Sequence, residues 1–297
     1  MRVFVTGGTG YVGSAVVRAL VEAGHEVTSL ARSAAKEAAL SRLGARAIRG
    51  DLSDPAGIAR AARGSDGFVH AAMDYGLGPP ADRAALEALL EAARQGEGPR
   101  VLVYTSGVWV LGDTGPEGAD ESTAITHPAA AVAWRPAHEQ LALGAAAGGL
   151  VTAVIRPGMV YGGKGGLLAP FFETAVKDGA AAFVGEGRNR WSLVHREDLA
   201  RLYLRVLESR ASGVYHGVDG EAPTLADLAR AASQAAGKEG AVRPVPLEEA
   251  RRGMGPMADA LALDQVVRGE ASQRLGWRPA WSGFLARARD AFREWAA

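Results

Sequence analysis

The segment Thr6-Gly7-Gly8-Thr9-Gly10-Tyr11-Val12-Gly13 carries the clearest chemical signal in this sequence. Glycines at such spacings let the backbone turn tightly and bring peptide N–H groups close to an anion at the start of a helix. Gly7 permits the turn, Gly10 admits a pyrophosphate to those N–H groups, and Gly13 lets the following helix lie against the preceding strand. The chemistry is that of holding a dinucleotide. Gly8-x-Gly10-x-x-Gly13 and Thr6-Gly7-x-x-Gly10-x-x-Gly13 both fit the segment, and the glycines alone do not choose between them. A glycine turn without a ligand is the plainer alternative, but the strand and helix that the fingerprint needs both flank this one.

The elements that must position such a turn are legible around it. Short β-branched runs at residues 2–6, 26–30, 45–49, 67–70, 100–104 and 151–155 read as strands. Alanine- and leucine-rich stretches at helical spacing separate them, at residues 12–23, 34–43, 56–62, 81–94 and 136–147. Strands alternating with helices predict an α/β fold, a doubly wound parallel sheet with a smaller, mostly C-terminal region appended. After residue 155 the turn-formers Arg156-Pro157-Gly158 and the glycines of residues 162–166 change the texture, yet Val214-Tyr215-His216 again reads as a core strand. The expected division is therefore discontinuous: residues 1–160 with about 195–218 as the dinucleotide-binding domain, and about 161–194 with 219–297 as the substrate-binding region.

Composition narrows the possible partners. The 297 residues are 48% hydrophobic and 22% charged, enough to bury a large core. With 33 basic and 33 acidic side chains the net charge is zero, which argues against nucleic acid and anionic membrane and for a small-molecule substrate. There is no cysteine, hence no disulfide, thiolate metal site or cysteine nucleophile, and the six histidines lack a paired His-x-x-x-His spacing, so no metal is expected. Ser106-Gly107 lacks the flanking glycines of a hydrolase elbow. The opening Met1-Arg2-Val3-Phe4-Val5 is not a signal core and no apolar run approaches the ~20 residues of a membrane span, so a cytoplasmic location is expected.

Later segments extend the pattern. Asp51-Leu52 follows the third strand, His70-Ala71-Ala72 ends the fourth, Tyr104-Thr105-Ser106 ends the fifth, and Arg156-Pro157-Gly158-Met159-Val160-Tyr161-Gly162 ends the sixth. Val194-His195-Arg196-Glu197-Asp198-Leu199-Ala200 and Leu275-Gly276-Trp277-Arg278-Pro279 follow. Together these motifs resemble the extended short-chain dehydrogenase/reductase family, epimerase/dehydratase-like, over nearly the whole chain. The resemblance implies that Asp51 and Leu52 meet the adenine, that Ala71 and Ala72 border the ribose and phosphates, and that Thr105 and Pro157 lie near the nicotinamide. Tyr11 and Val12 join the glycines in the cofactor turn. Where a ribose-binding acid would mark NAD, the second strand ends Leu30-Ala31-Arg32-Ser33. A guanidinium matches a phosphate in charge and fork geometry, so Arg32 favours NADP over NAD, with an ordinary exposed loop charge as the alternative.

The catalytic pattern breaks. Members of that family use a Ser or Thr with Tyr-x-x-x-Lys on one helix, where the lysine lowers the phenol's pKa and holds the nicotinamide ribose. None of the six tyrosines, at 11, 75, 104, 161, 203 and 215, has a lysine four residues on. Anchored on Glu139-Gln140, the resemblance puts Arg135 at the lysine and Ala131 at the tyrosine. Counted back from Leu111-Gly112 it puts Gly107 at the hydroxyl position, or Ser106 after a one-residue shift. Arg135 can still bind the ribose but cannot give up a proton near neutral pH.

The candidate proton donors are Tyr161, Tyr75, His127 and His138, each with a plainer reading as packing or loop residue. His195 reads as structural. Trp109 and Trp134 flank the rebuilt segments as packing or as an aromatic wall, and residues 162–166 around Lys164 read as a lid or a surface loop.

The expected function is an atypical NADP-dependent oxidoreductase transferring hydride to or from a carbonyl, imine or enone. The catalytic candidates are Arg135, Tyr161, Ser106 and His138. A non-catalytic NAD(P)-binding sensor or scaffold is the rival from another class, and nucleotide-sugar epimerisation or dehydration ranks lower because epimerisation leans on the missing phenol. The resemblance further implies a homodimer joined through the helices at 81–94 and 136–147.

Overall fold

Val3, Phe4 and Val5, and again Val101, Leu102 and Val103, are buried one after another rather than alternately. Consecutive burial is the mark of strands whose sheet is covered by helices on both faces. The computed structural model describes residues 1–281 and 283–297. In it, strands β1 (Arg2–Thr6), β2 (Glu26–Ala31), β3 (Arg46–Arg49), β4 (Gly67–His70), β5 (Arg100–Thr105) and β6 (Leu150–Pro157) are joined through helices α1 (Tyr11–Glu22), α2 (Ala34–Arg42), α3 (Pro55–Ala62), α4 (Gly78–Gln95) and α5 (Arg135–Leu143). Among the described residues one seven-stranded sheet runs in the order Gly213–Gly217, β6, β5, β4, β1, β2, β3. Every pairing from β6 through β3 is parallel. This is the doubly wound Rossmann order, which reverses direction between β1 and β4 and opens a crevice at the strands' carboxyl ends there. The expected fold class is the observed one, and the strand ends differ from the sequence reading by only a residue or two.

Helix starts follow their local chemistry. The Asp54 side chain accepts from the Gly57 N–H at 2.8 Å with Pro55 opening α3, and the Ser33 hydroxyl accepts from the Lys36 N–H at the head of α2. Helix α5 stops at Leu143 rather than at residue 147, capped by Gly144, and Gly148 and Gly149, both at positive φ, then turn the chain into β6.

The chain forms two compact units. The first comprises Met1–Ser106, Trp134–Arg156 and Leu199–Tyr215, and the second Gly107–Ala133, Pro157–Asp198 and His216–Ala297. The boundary is discontinuous, but residues 107–133, expected in the dinucleotide-binding part, fall in the second unit, and the return to the first is narrower than 195–218. Long-range pairing explains this: Gln265 Nε2 donates to the carbonyls of Val108 and Gly112 at 2.8 Å each, and Ala119 bridges to Val267. The second unit therefore takes up the middle of the chain as well as its C-terminal part, and it is as large as the first, not the smaller region expected. Within it, Phe171, Phe172, Trp191, Leu193, Leu228 and Phe284 build a separate core. Its strand Met159–Gly162 pairs in parallel with Leu193–His195, and Ala181–Val184 in parallel with Val242–Val245. No helix among the described residues is long and apolar enough to cross a membrane.

In the first unit α5 is fastened to β6 by a buried ion pair. Arg156 Nε and Nη2 donate to the Glu139 carboxylate at 3.0 and 2.6 Å, with both residues at most 5% exposed. Removing one partner of such a pair strands the other's charge away from water. Glu139→Ala is expected to cost about 3–5 kcal/mol of folding stability in urea titration; a loss under about 1 kcal/mol, the scale of a surface pair, would mean the pair does not hold α5 to the sheet.

Candidate active site

The carboxyl ends of β1, β2, β3 and β4 border one cleft of about 350 Å³ in the first unit. Gly7, Gly10 and Tyr11 line it from the turn after β1, Arg32 from the end of β2, Leu52 from beyond β3, and Ala71 and Ala72 from beyond β4. The sequence reading placed all of these at a cofactor. Gly7 has φ +77°, and a Cβ there would meet the Ala71 and Ala72 backbone at 2.6–2.7 Å. At Gly13 a Cβ would sit 2.1 Å from the Gly7 carbonyl oxygen, so only glycine lets α1 approach β1 so closely. At Gly10 the nearest protein atom to such a Cβ would be 3.1 Å away. The missing side chain there keeps open the mouth of α1, whose first turn, including Tyr11 and Val12, carries no acidic residue and no side-chain cap. Unopposed N–H groups at a helix start are partly positive, so this cradle fits the pyrophosphate of a dinucleotide.

At the outer end of the cleft Arg32 is largely exposed, and its Nη1 donates to Asp74 Oδ2 at 2.7 Å. Lys36 lines the same cleft. Asp51 turns its carboxylate into its own loop, where the Ser53 hydroxyl and amide donate to Oδ1 and hold the carboxyl below its usual range.

Arg135 stands at the carboxyl end of β5. Its Nη1 donates to the Thr105 carbonyl at 2.7 Å, and its guanidinium lies 4.5 Å from the centre of the Trp134 ring. The Thr105 hydroxyl pairs with the Tyr203 hydroxyl at 2.7 Å, and burial pushes that phenol's pKa up. Ser106, the next residue, is 7% exposed, and its hydroxyl has no hydrogen-bond partner among the described residues.

Beneath Arg135 lies a network that the sequence reading did not assemble. His138 Nδ1 stands 2.7 Å from Asp82 Oδ2, and the Tyr104 hydroxyl donates to the same oxygen at 2.9 Å. His70 Nε2 faces the Asp82 carbonyl oxygen at 3.2 Å and Oδ1 at 3.4 Å, while its Nδ1 meets the Thr6 hydroxyl at 2.7 Å. Burial alone would raise the Asp82 carboxyl, but hydrogen bonds and charge from His70, then His138, and then the charge of Arg135 hold it down to about 2. Burial and this carboxylate push Tyr104 upward. A carboxylate only accepts, so His138 carries its proton on Nδ1 and leaves Nε2 on the side away from Asp82. One signal for Asp82 was readable: it is the acid on the stripe Asp82, Ala85, Leu86 and Leu89 that α4 buries.

The remaining candidates separate. Pro157 and Tyr161 belong to the second unit, as do Gly107 and Ala131. Tyr161 is packed edge-on against His195 and Phe284, its hydroxyl has no partner among the described residues, and burial pushes its pKa up. His195 is fully buried, stacked on Trp281 at 4.2 Å and paired with Glu294 at 3.0 Å. Tyr75 is 83% exposed, and His127, also exposed, meets its neighbour Thr126 through Nδ1 at 3.1 Å. Trp109 packs against the second core. Residues 162–166 form a tight hairpin in which Gly162 pairs with Gly165 and Gly163 N–H donates to Glu294. Asp219 is 9% exposed; burial, and then the charges of Glu221 and Asp198, push its carboxyl up to about 7.

Known proteins resemble this chain over nearly its whole length. Residues 3–218 match the family model described as NAD dependent epimerase/dehydratase family. An uncharacterised Schizosaccharomyces pombe protein is 32% identical over 98% of this chain and all of its own length. The 4-hydroxy-2-methyl-3-oxo-4-farnesyl-3,4-dihydroquinoline-1-oxide ketoreductase of Stigmatella aurantiaca is 30% identical over 90% of this chain and 86% of that protein. The crystal structure of Thermus thermophilus UDP-glucose 4-epimerase in complex with NAD superposes with a TM-score of 0.80 at 26% identity, covering 100% of this chain and 99% of that one.

Two carboxyls with opposite shifts give opposite pH signatures. Asp82 is depressed on folding, so its contribution is complete above about pH 4 and lost as pH falls towards 2. Asp82→Asn is expected to flatten the loss of stability in that window, worth about 2 kcal/mol in urea titrations; an unchanged slope would mean Asp82 is not ionised in the fold. Asp219 is raised, so the fold favours its acid form, and that preference is lost as pH climbs from about 4 through 7. Asp219→Asn is expected to gain stability over the parent at pH 8 but not at pH 4, and an equal difference at both would refute the shift.

Proposed function

The chain belongs to the NAD dependent epimerase/dehydratase family and is an NAD(P)-dependent oxidoreductase, and from that premise we propose that it is a reductase that draws on NADPH to reduce a small carbonyl compound without a Tyr-x-x-x-Lys pair. The observation that carries this reading is the posture of Arg135. Its guanidinium is fixed by the Thr105 carbonyl and the Trp134 face at the carboxyl end of β5, and its remaining donors serve the nicotinamide ribose. When bound, the nicotinamide nucleotide supplies the hydride; orientation, charge and proton delivery are the work of this chain.

Ser106 supplies the polar contact to the substrate. Its hydroxyl is buried and unpartnered among the described residues, a state that costs free energy unless something else accepts or donates there. It hydrogen-bonds to the carbonyl oxygen as negative charge develops while hydride adds to the carbon, and a water molecule delivers the proton that completes the alcohol. Arg135 stays protonated throughout and steadies the charge. A ketone is favoured over a nucleotide sugar because the Stigmatella relative is a ketoreductase and because a reduction needs no phenolic base. The cofactor preference rests on Arg32 and Lys36 at the outer end of the cleft, two cations suited to a 2′-phosphate.

The test is NADPH oxidation followed across a panel of ketones, with imines and enones beside them. Turnover is expected with some ketone, with kcat falling about 10²–10³-fold in Ser106→Ala, the cost of one lost donor to a developing oxyanion. Arg135→Lys is expected to retain more of the rate than Arg135→Ala. Rates untouched by all three substitutions would remove both residues from the reaction, and NADPH that binds but is never consumed would favour a sensor.

A further inference from the structure

Arg32 donates through Nη1 to Asp74 at 2.7 Å, and both residues line the nucleotide cleft. The guanidinium that a 2′-phosphate would need is therefore engaged by a carboxylate of the same chain. We propose that Asp74 is a specificity-determining residue: it competes with the cofactor's 2′-phosphate for Arg32 and holds the preference for NADPH over NADH below what the cations alone would give. This rests on the reading of Arg32 as the phosphate's partner.

Three features make the competition effective. Asp74 is tethered, because its Oδ1 accepts from the N–H groups of Gly76 and Leu77 at 2.9 and 3.2 Å in the turn that leads into α4. Its carboxylate cannot swing away without giving up those bonds. A phosphate gripping Arg32 by two parallel bonds would also lie beside a fixed negative charge, and like charges set close together in a binding site weaken binding. Asp51 adds a second, weaker negative influence, since it interacts electrostatically with Arg32. NADH carries no 2′-phosphate, so its ribose hydroxyls feel neither the attraction nor the repulsion. The acid that tempers the phosphate site thus comes from the loop after β4, not from the end of β2 that carries Arg32.

The experiment is calorimetric titration of NADPH and NADH into the full chain, its Asp74→Asn, Asp74→Ala and Arg32→Ala variants, and the Arg32→Ala/Asp74→Asn double variant. Asparagine keeps the acceptor for Gly76 and Leu77 and removes the charge. Asp74→Asn is expected to bind NADPH about fivefold tighter, the upper end for an exposed ion pair, with NADH unchanged. The gain is expected to vanish in the double variant. Arg32→Ala that leaves NADPH affinity untouched would overturn the phosphate reading itself. If Arg32→Ala weakens NADPH, the competition is overturned by any of three results: Asp74→Asn without effect, Asp74→Asn weakening NADH as loss of a ribose ligand would, or a gain seen only in Asp74→Ala, which would reflect release of the turn.

Discussion

The first unit depends on how closely the head of α1 lies against the end of β1. A methyl group at Gly13 would overlap the Gly7 carbonyl oxygen at 2.1 Å, and one at Gly7 would overlap the backbone beyond β4. These contacts set where the helix starts, and so where its unpaired N–H groups point. They also draw β1 and β4 into the neighbouring positions at which the sheet reverses, the place where such a sheet can accept a ligand. The rest of the nucleotide cleft is arranged around that fixed point. Its outer cations stand just past β2 and at the start of α2, and its floor is supplied by the small residues Ala71 and Ala72.

A second constraint lies under the reaction end of the sheet. Asp82 gathers side chains from β4, β5 and α5 onto one carboxylate, and through His70 it reaches Thr6 at the end of β1. A charge so deeply buried is tolerable only because several donors meet it at once. The network therefore fixes the rotation of α5 about its axis, and with it the direction in which Arg135 leaves the helix.

Much of this was legible in the sequence because it is local. The strands announce themselves through runs of β-branched residues, and the turn at residues 7–13 through glycines that only one arrangement of strand and helix uses. What the sequence withholds is pairing across long separations. Nothing near Asp82 names His138 as its partner, and nothing near Arg32 names Asp74. The allocation of residues 107–133 depended on Gln265, more than a hundred residues downstream. Tyr161 looked like a donor because its residue type could be one, whereas its ring is committed to His195 and Phe284. Residues 162–166, read as a lid or a surface loop, form a hairpin, since their glycines supply the positive φ that a tight turn needs.

The discontinuity of the first unit has a consequence for how the chain is made. Its sheet is finished by Gly213–Gly217, which pairs beside β6 but emerges from the ribosome dozens of residues after it. Domains tend to fold in order of synthesis, at about 5–20 residues per second. For several seconds β6 is thus the raw edge of an otherwise finished sheet, with unpaired N–H and C=O groups of the kind that recruit other strands. Over that window the nascent polypeptide offers an open sheet edge to other strands. That window closes only when the seventh strand arrives.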